Sequence, residues 1–259
     1  MMACWMVYTA GRFVYAFYAP PQMIRYQSQE PAVWVFPTPL SDRNVSQLSG
    51  SRVEAYGYSI QTPWNEQPEI KPHKEITLVT FRQNKAGMLI RNPDEDTTEN
   101  LPVKMASDPE IQKLYSDQDR SSFYQLTADA LAASPNEAKW WIPRKNVQLF
   151  MLLSSKDLQM MNFKSVHKID AGLMRGFQLG DPSEPPYRVR LNLFDRADRR
   201  IQIDIWSRQD GAPALTQAQL NAMVASIQPA EKQQPPPKQN SRAELRHFRP
   251  GTSPTLFPY

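Results

Sequence analysis

The residues best suited to catalysis in this sequence are His167 and Asp170, which lie three positions apart. A histidine whose ring is oriented by a carboxylate can act as the general base for a serine nucleophile. The serine with the closest context lies in residues 57–61 (GYSIQ), which lack the second glycine of the nucleophile-elbow motif. A hydrolase whose site is assembled from distant residues is therefore an alternative hypothesis rather than the leading one.

The sequence contains no motif for binding a metal ion or a phosphate group. Its one cysteine, Cys4, excludes a multi-cysteine zinc site, and its three histidines stand singly, without an HExxH motif. Its nine glycines never form the spacings that cradle phosphates. The acidic residues 94–99 lack the central glycine and terminal glutamate of a calcium loop, so we interpret them as a solvated turn. We therefore expect no cofactor.

Three arginines are candidates for binding a partner. Arg188, Arg190 and Arg200 recur at alternate positions of two predicted strands, so we expect them on one face of a sheet. Together they would attract an acidic partner. The plainer interpretation is a solvated polar face whose charge Asp204 partly balances.

Tryptophans are the second set of candidates for binding a partner or ligand. Trp140 and Trp141 are adjacent, and with Trp64 and Trp206 they could line a pocket. Large aromatic side chains carry much of the contact energy in interfaces. Packing in the core or at its edge is the plainer interpretation of all four.

The charge distribution argues against a nucleic-acid-binding domain. The formal net charge is +4, but residues 229–259 hold most of the excess of basic side chains, so the rest of the chain is nearly neutral. A nucleic-acid-binding domain normally carries a dense basic patch. Contact with nucleic acid through the basic tail remains a second alternative hypothesis.

Residues 3–19 form an apolar run in which Arg12 is the only charged residue. An arginine near the middle of a membrane span costs about 3 kcal/mol on insertion scales, which the surrounding apolar side chains only partly offset. A membrane anchor and a buried or amphipathic helix are therefore both open interpretations. The anchor would make the protein membrane-associated or exported, and the helix is compatible with a cytoplasmic protein.

The remaining chain divides into three parts by composition. Residues 21–50 are rich in proline and polar residues and are predicted to be an extended linker. Residues 51–228 have the apolar content needed for a folded domain. Residues 229–259 are rich in proline, glutamine and arginine and are predicted to be a disordered tail.

Strand patterns dominate the predicted domain. The clearest are residues 188–195 and 199–206, where aliphatic and polar residues alternate on both sides of a short turn. Residues 173–179 are predicted to form a neighbouring strand. Residues 52–60 are predicted to form two short strands or one bulged strand. Residues 75–82 and 88–90 are predicted to form a hairpin, with Gly87 in its turn.

Three helices are predicted around these strands. Ser122 and Gln125 have the spacing of a capping box, which predicts a helix over residues 122–133. Pro143 can open a second helix over the apolar residues 147–153, for which a strand is the alternative. Thr216 and Gln219 repeat the capping-box spacing ahead of an apolar stripe, which predicts a closing helix that lies on the sheet.

The order of these pieces resembles the PsbP-like fold. The resemblance rests on residues 57–60 (GYSI) running into Pro63 and Trp64, the late hairpin, and a closing helix that ends with residues 225–227 (ASI). It covers about residues 51–228 and implies an α+β domain with a mostly antiparallel sheet between helices, an α/β/α sandwich. Proteins of that fold are mostly non-catalytic binding or assembly domains, often exported or membrane-associated. We therefore expect a non-catalytic domain that binds a protein or small ligand.

Overall fold

The alternating residues 188–206 form a hairpin in the middle of an eight-stranded sheet. A computed structural model of the protein describes residues 22–40, 44–74, 76–92, 122–138, 143–209 and 211–230. The strands are β1 (Thr38–Pro39), β2 (Arg52–Ala55), β3 (Tyr58–Gln61), β4 (Glu69–Pro72), β5 (Ile76–Phe81), β6 (Ala86–Arg91), β7 (Val166–Ala171), β8 (Met174–Leu179), β9 (Arg188–Phe194), β10 (Arg200–Ser207) and β11 (Gln228–Pro229). The helices are α1 (Phe123–Ala132), α2 (Pro143–Met160) and α3 (Gln217–Ala225).

The large sheet has the strand order β1-β7-β8-β9-β10-β6-β5-β4, and β11-β3-β2 form a second, smaller sheet. Every neighbouring pair is antiparallel except β1 and β7. The predicted α+β class with a mostly antiparallel sheet is confirmed. The apolar helix predicted within residues 1–20 lies outside the described residues, as do residues 231–259 of the tail.

One face of the large sheet holds the main core. Ile201, Ile203 and Ile205 of β10 are almost completely buried, as the alternation of the sequence predicted. They share a cluster with Leu220 and Met223 of α3 and with side chains of the small sheet. The closing helix therefore packs on the sheet, as predicted.

Helices α1 and α2 lie on the opposite face of the large sheet. Phe177 and Leu179 of β8 are completely buried on this face, where they contact Leu131 of α1 and Met160 of α2. Helix α2 includes residues 147–153, so the strand alternative for that run was wrong. The physical reason is local: Pro143 opens the helix, and residues 144–160 contain no glycine or further proline that would break it.

The capping-box spacings mark two helix starts correctly. At α3, Gln219 N–H donates to Thr216 Oγ1 at 3.2 Å, and Thr216 N–H donates to Gln219 Oε1 at 2.8 Å. At α1, Gln125 N–H donates to Ser122 Oγ at 3.3 Å. The Gln125 side chain, however, donates to Asp129 Oδ1 at 2.9 Å, one helical turn ahead.

The hairpin of β5 and β6 forms as predicted, except that Gly87 lies in strand β6 and not in the turn. A Cβ atom at this position would overlap the indole of Trp206, which lies across the glycine from β10. The glycine is needed for close packing between strands rather than for chain reversal.

Residues 22–40 pack on the domain, whereas we expected them to form part of an extended linker. Residues 22–27 are helical, and Pro31–Trp34 form a 3₁₀ turn. Ile24 and Val33 are buried against Leu149 and Leu153 of α2. The folded body therefore begins well before Ser51.

The chain also remains ordered beyond the end of α3. Gln228 and Pro229 pair with Ser59 and Tyr58 as β11, and Ala230 N–H donates to Gly57 O at 2.8 Å. Proline is tolerated there because β11 is an edge strand. None of the helices in the described ranges combines the length and apolarity that a membrane crossing needs.

Candidate functional site

A groove opens beside β7 at the point where the edge strand β1 ends. Strand β1 pairs with β7 only through Thr38 with His167 and Pro39 with Lys168. Among the described strands, none pairs with residues 169–171 on that side of β7. A groove of about 690 Å³ lies beside residues 169–171. We call it the β7 groove.

The side chains of the β7 groove divide into a polar side and an apolar side. Lys168, Asp170 and Arg175 lie on the polar side, and all three are exposed. Ile169 of β7 and Val224 of α3 lie on the mainly apolar side, which also includes Asn221, whose side-chain amide donates to Asn44 O. The division follows from the alternation of side chains along a strand, which sends successive residues to opposite faces of the sheet.

Arg175 is held in place by an aromatic support. Its guanidinium carbon lies 4.2 Å from the ring centroid of Tyr124, at the start of α1. The Tyr124 ring stacks on Phe177 with a centroid distance of 5.7 Å and meets Phe194 edge-on at 5.7 Å. A guanidinium on an aromatic face keeps its N–H groups free to bind carboxylates.

A smaller cavity of about 260 Å³ continues the β7 groove towards the turn between β9 and β10. It shares Asp170 and Arg175 with the groove and adds Asp195 and Arg196. The groove and this cavity therefore adjoin at Asp170 and Arg175.

Asp195 lines the smaller cavity and organises the turn between β9 and β10. Burial alone would raise the pKa of Asp195, but hydrogen bonds from the backbone and side chain of Arg199, from Tyr58 and from Ala197 lower it overall. The Tyr58 hydroxyl donates to Oδ2 at 2.9 Å and Arg199 Nε donates to the same oxygen at 2.7 Å. Asp195 is therefore committed to the turn as a carboxylate and is not free to bind a ligand.

The three candidate arginines do lie on one face of the large sheet, and that face is more covered than the solvated face that we expected. Arg190 Nε lies 2.9 Å from Asp204 Oδ1, and a guanidinium nitrogen of Arg188 lies 3.4 Å from the same atom. Asp204 is only 1% exposed and Arg200 only 7%. Arg200 donates to Asn192 Oδ1 at 3.4 Å. Arg188 and Arg190 remain half-buried while Arg200 is buried, so the three arginines form a largely covered polar layer.

Only two of the four candidate tryptophans, Trp64 and Trp206, lie within the described residues. Trp140 and Trp141 lie outside the described residues. Trp64 is buried, and its ring centroid lies 4.4 Å from that of Phe81. Its indole N–H donates to Ala214 O at 3.2 Å. Trp206 covers Gly87. Both of these tryptophans pack between elements of the fold.

His167 and Asp170 do not form an oriented base. They are three residues apart in β7, so their side chains lie on opposite faces of the strand. The His167 ring contacts Thr38 instead, with 3.0 Å between Nδ1 and Oγ1. Within the described ranges, no group of three or more histidine, cysteine, aspartate or glutamate side chains is placed to hold a metal ion.

Apart from Asp170, the side chains of the β7 groove were not predicted from the sequence, because neither β1 nor β7 was predicted. Residues 166–171 (VHKIDA) alternate only weakly, and β1 is two residues long. The cation–aromatic contact between Arg175 and Tyr124 joins segments that are distant in the sequence, which no local pattern reveals.

No family model, no curated protein and no solved structure matches this chain. The geometry of the β7 groove is therefore the main indication of what the protein binds.

Proposed function

We propose that this protein is a non-catalytic binding domain, attached to a membrane through residues 3–19, which binds an extended acidic segment of a partner protein in the β7 groove. The observation that carries the proposal is the stretch of β7 edge beyond β1, flanked by basic groups on one side and apolar side chains on the other. The PsbP-like resemblance supports it by analogy, since that fold mostly serves binding and assembly.

An extended peptide suits the β7 groove for two reasons. Its backbone could continue the pairing of β1 by bonding to residues 169–171, as in recognition by strand addition. Its side chains would then alternate between the two sides of the groove. Acidic residues would meet Lys168 and Arg175, and apolar residues would meet Ile169 and Val224.

The charge of the groove favours an acidic partner over a basic one. Lys168 and Arg175 outnumber Asp170 among the ionisable side chains that line it. The adjoining cavity adds Arg196 together with Asp195, and the carboxylate of Asp195 is already paired with Arg199. The hydrolase hypothesis has less support, because His167 and Asp170 lie on opposite faces of β7.

The test measures the binding of fluorescein-labelled peptides to the full chain in lipid nanodiscs by fluorescence anisotropy. The probe is an octapeptide of alternating glutamate and leucine. One control has the same composition in two blocks, and the other has lysine in place of glutamate. We expect the alternating acidic peptide to bind more tightly than both, because only its side chains match the two sides of the groove.

Charge reversal locates the binding site. Lys168→Glu/Arg175→Glu should raise the Kd of the alternating peptide by about tenfold or more. The matched control is Lys71→Glu/Lys74→Glu, which reverses two exposed charges at the opposite edge of the sheet and should leave the Kd unchanged. Equal affinities for the three peptides, or an equal effect of the two double variants, would refute the proposal.

A further inference from the structure

The segment that joins residues 3–19 to the domain exposes large apolar side chains on its outer side. Met23 is 40% exposed, Tyr26 is 70% exposed and Trp34 is 41% exposed. The same segment buries Ile24 and Val33 on its inner side. We call Met23, Tyr26 and Trp34 the N-terminal apolar patch.

The N-terminal apolar patch is fixed to the folded body. Gln27 Nε2 donates to Ser154 Oγ of α2 at 2.6 Å, beside the contacts of Ile24 and Val33 with that helix. The Trp34 indole N–H donates to Ser28 O at 2.8 Å, which holds the indole beside the end of the helical residues 22–27. The patch therefore cannot swing away from the domain on a flexible arm.

The patch also lies very close in the chain to the apolar run. Only Pro20 and Pro21 separate Ala19 from Gln22. Three peptide steps span at most about 11 Å when fully extended. If residues 3–19 lie in a membrane, the start of the helical segment must therefore lie at or near the lipid headgroups.

We propose that the N-terminal apolar patch rests on the lipid surface, so that the domain is held in one orientation and is not loosely tethered. Tyrosine and tryptophan favour the boundary between lipid and water, where an apolar ring and a polar group are both accommodated. This inference rests on the membrane attachment in the proposed function. It adds that the folded domain itself contacts the bilayer.

The test places an environment-sensitive nitrobenzoxadiazole probe on single cysteines in the full chain, after Cys4→Ser removes the native thiol. One variant carries Tyr26→Cys. The matched control carries Glu54→Cys, an exposed position in β2 of the small sheet, which lies on the other face of the large sheet. Both are mixed with vesicles of phosphatidylcholine and phosphatidylglycerol, and co-sedimentation and fluorescence are measured together.

We expect both variants to sediment with the vesicles, and we expect a blue shift and increased intensity only for the probe at position 26. Sedimentation with the same polar emission at both positions would overturn this inference and leave the membrane attachment intact. Failure of both variants to sediment would overturn the membrane attachment, and this inference with it.

Discussion

Asp198 accepts a hydrogen bond of 2.9 Å from the hydroxyl of Ser122, the N-cap residue of α1, although the two residues are 76 positions apart. The same carboxylate accepts hydrogen bonds from the backbone N–H groups of Phe123 and Tyr124. The turn between β9 and β10 thus caps a helix that packs on the sheet. Because Tyr124 supports Arg175, this cap also positions one wall of the β7 groove.

Replacing Asp198 should therefore destabilise the protein. Asp198 has a φ of 60°, which aspartate and asparagine tolerate better than alanine. Asp198→Ala loses the cap and adds backbone strain, so we expect it to lower the free energy of unfolding by about 2 kcal/mol. Asp198→Asn keeps an acceptor oxygen and should lose less than half as much. Urea denaturation followed by tryptophan fluorescence measures both, and equal losses would contradict the assignment of the cap.

Asp204 should be the most sensitive position in the largely covered polar layer. It forms ion pairs with Arg188 and Arg190 and also accepts a hydrogen bond of 3.1 Å from Gln202 Nε2. Breaking a buried ion pair leaves uncompensated charge, so Asp204→Asn should lower the free energy of unfolding by about 3 kcal/mol. The control is Glu69→Gln, which breaks ion pairs at the exposed edge with Lys71 and Arg82 and should have no measurable effect. If the free energy of unfolding changed as little for Asp204→Asn as for Glu69→Gln, the ion pairs of Asp204 would not be buried ones.

Lys156 is a buried amine whose protonation opposes folding. Burial lowers the pKa of Lys156 from 10.5 to about 8, and Glu137 opposes this only in part. Its Nζ donates to Ala133 O at 2.9 Å and lies 4.1 Å from the ring centroid of Phe36. The unfolded chain binds the proton more tightly, so stability should rise as the pH increases from about 8 towards 10.5.

Lys156→Met should remove this pH dependence. We expect it to raise the free energy of unfolding by about 1–2 kcal/mol at pH 7, after allowance for the lost hydrogen bond, and by less near pH 10. Thermal unfolding across that pH range measures the difference, with Lys164→Met as an exposed control. A gain that stays constant with pH would contradict the assigned cause.

Asp195 should contribute to stability in the opposite pH range. The pKa of Asp195 is lowered from 3.8, so its charged form is favoured by folding. That contribution is complete above the pKa of the unfolded chain and is lost as the pH falls through the lower pKa of the folded protein. Asp195→Asn should therefore be less stable than the natural protein at pH 7, and the gap should shrink below about pH 4.

Tyr58→Phe isolates one of the contacts of Asp195. It removes only the hydroxyl that donates to Oδ2, so it should cost about 1 kcal/mol at pH 7. Acid denaturation of the natural protein and the two variants provides the measurement. A gap between Asp195→Asn and the natural protein that does not change with pH would contradict the role of this carboxylate.

The sequence by itself determined the features that depend on neighbouring residues. The alternation of residues 188–206 predicted a hairpin with one core face, and the spacings at Ser122 and Thr216 predicted two helix starts. A strand or a helix start is set by side chains within a few positions, so its pattern can be read locally. The α+β class followed from these elements.

Only the tertiary structure decided what packs on each face of the sheet and where the described strands leave part of β7 without a pairing partner. Asp204 was visible as a polar position, but the local pattern did not show that tertiary packing leaves it only 1% exposed. The β7 groove exists because β1 stops after two residues beside a longer strand. Such relationships depend on long-range packing, and the local pattern of a polar side chain is the same whether water or a helix lies above it.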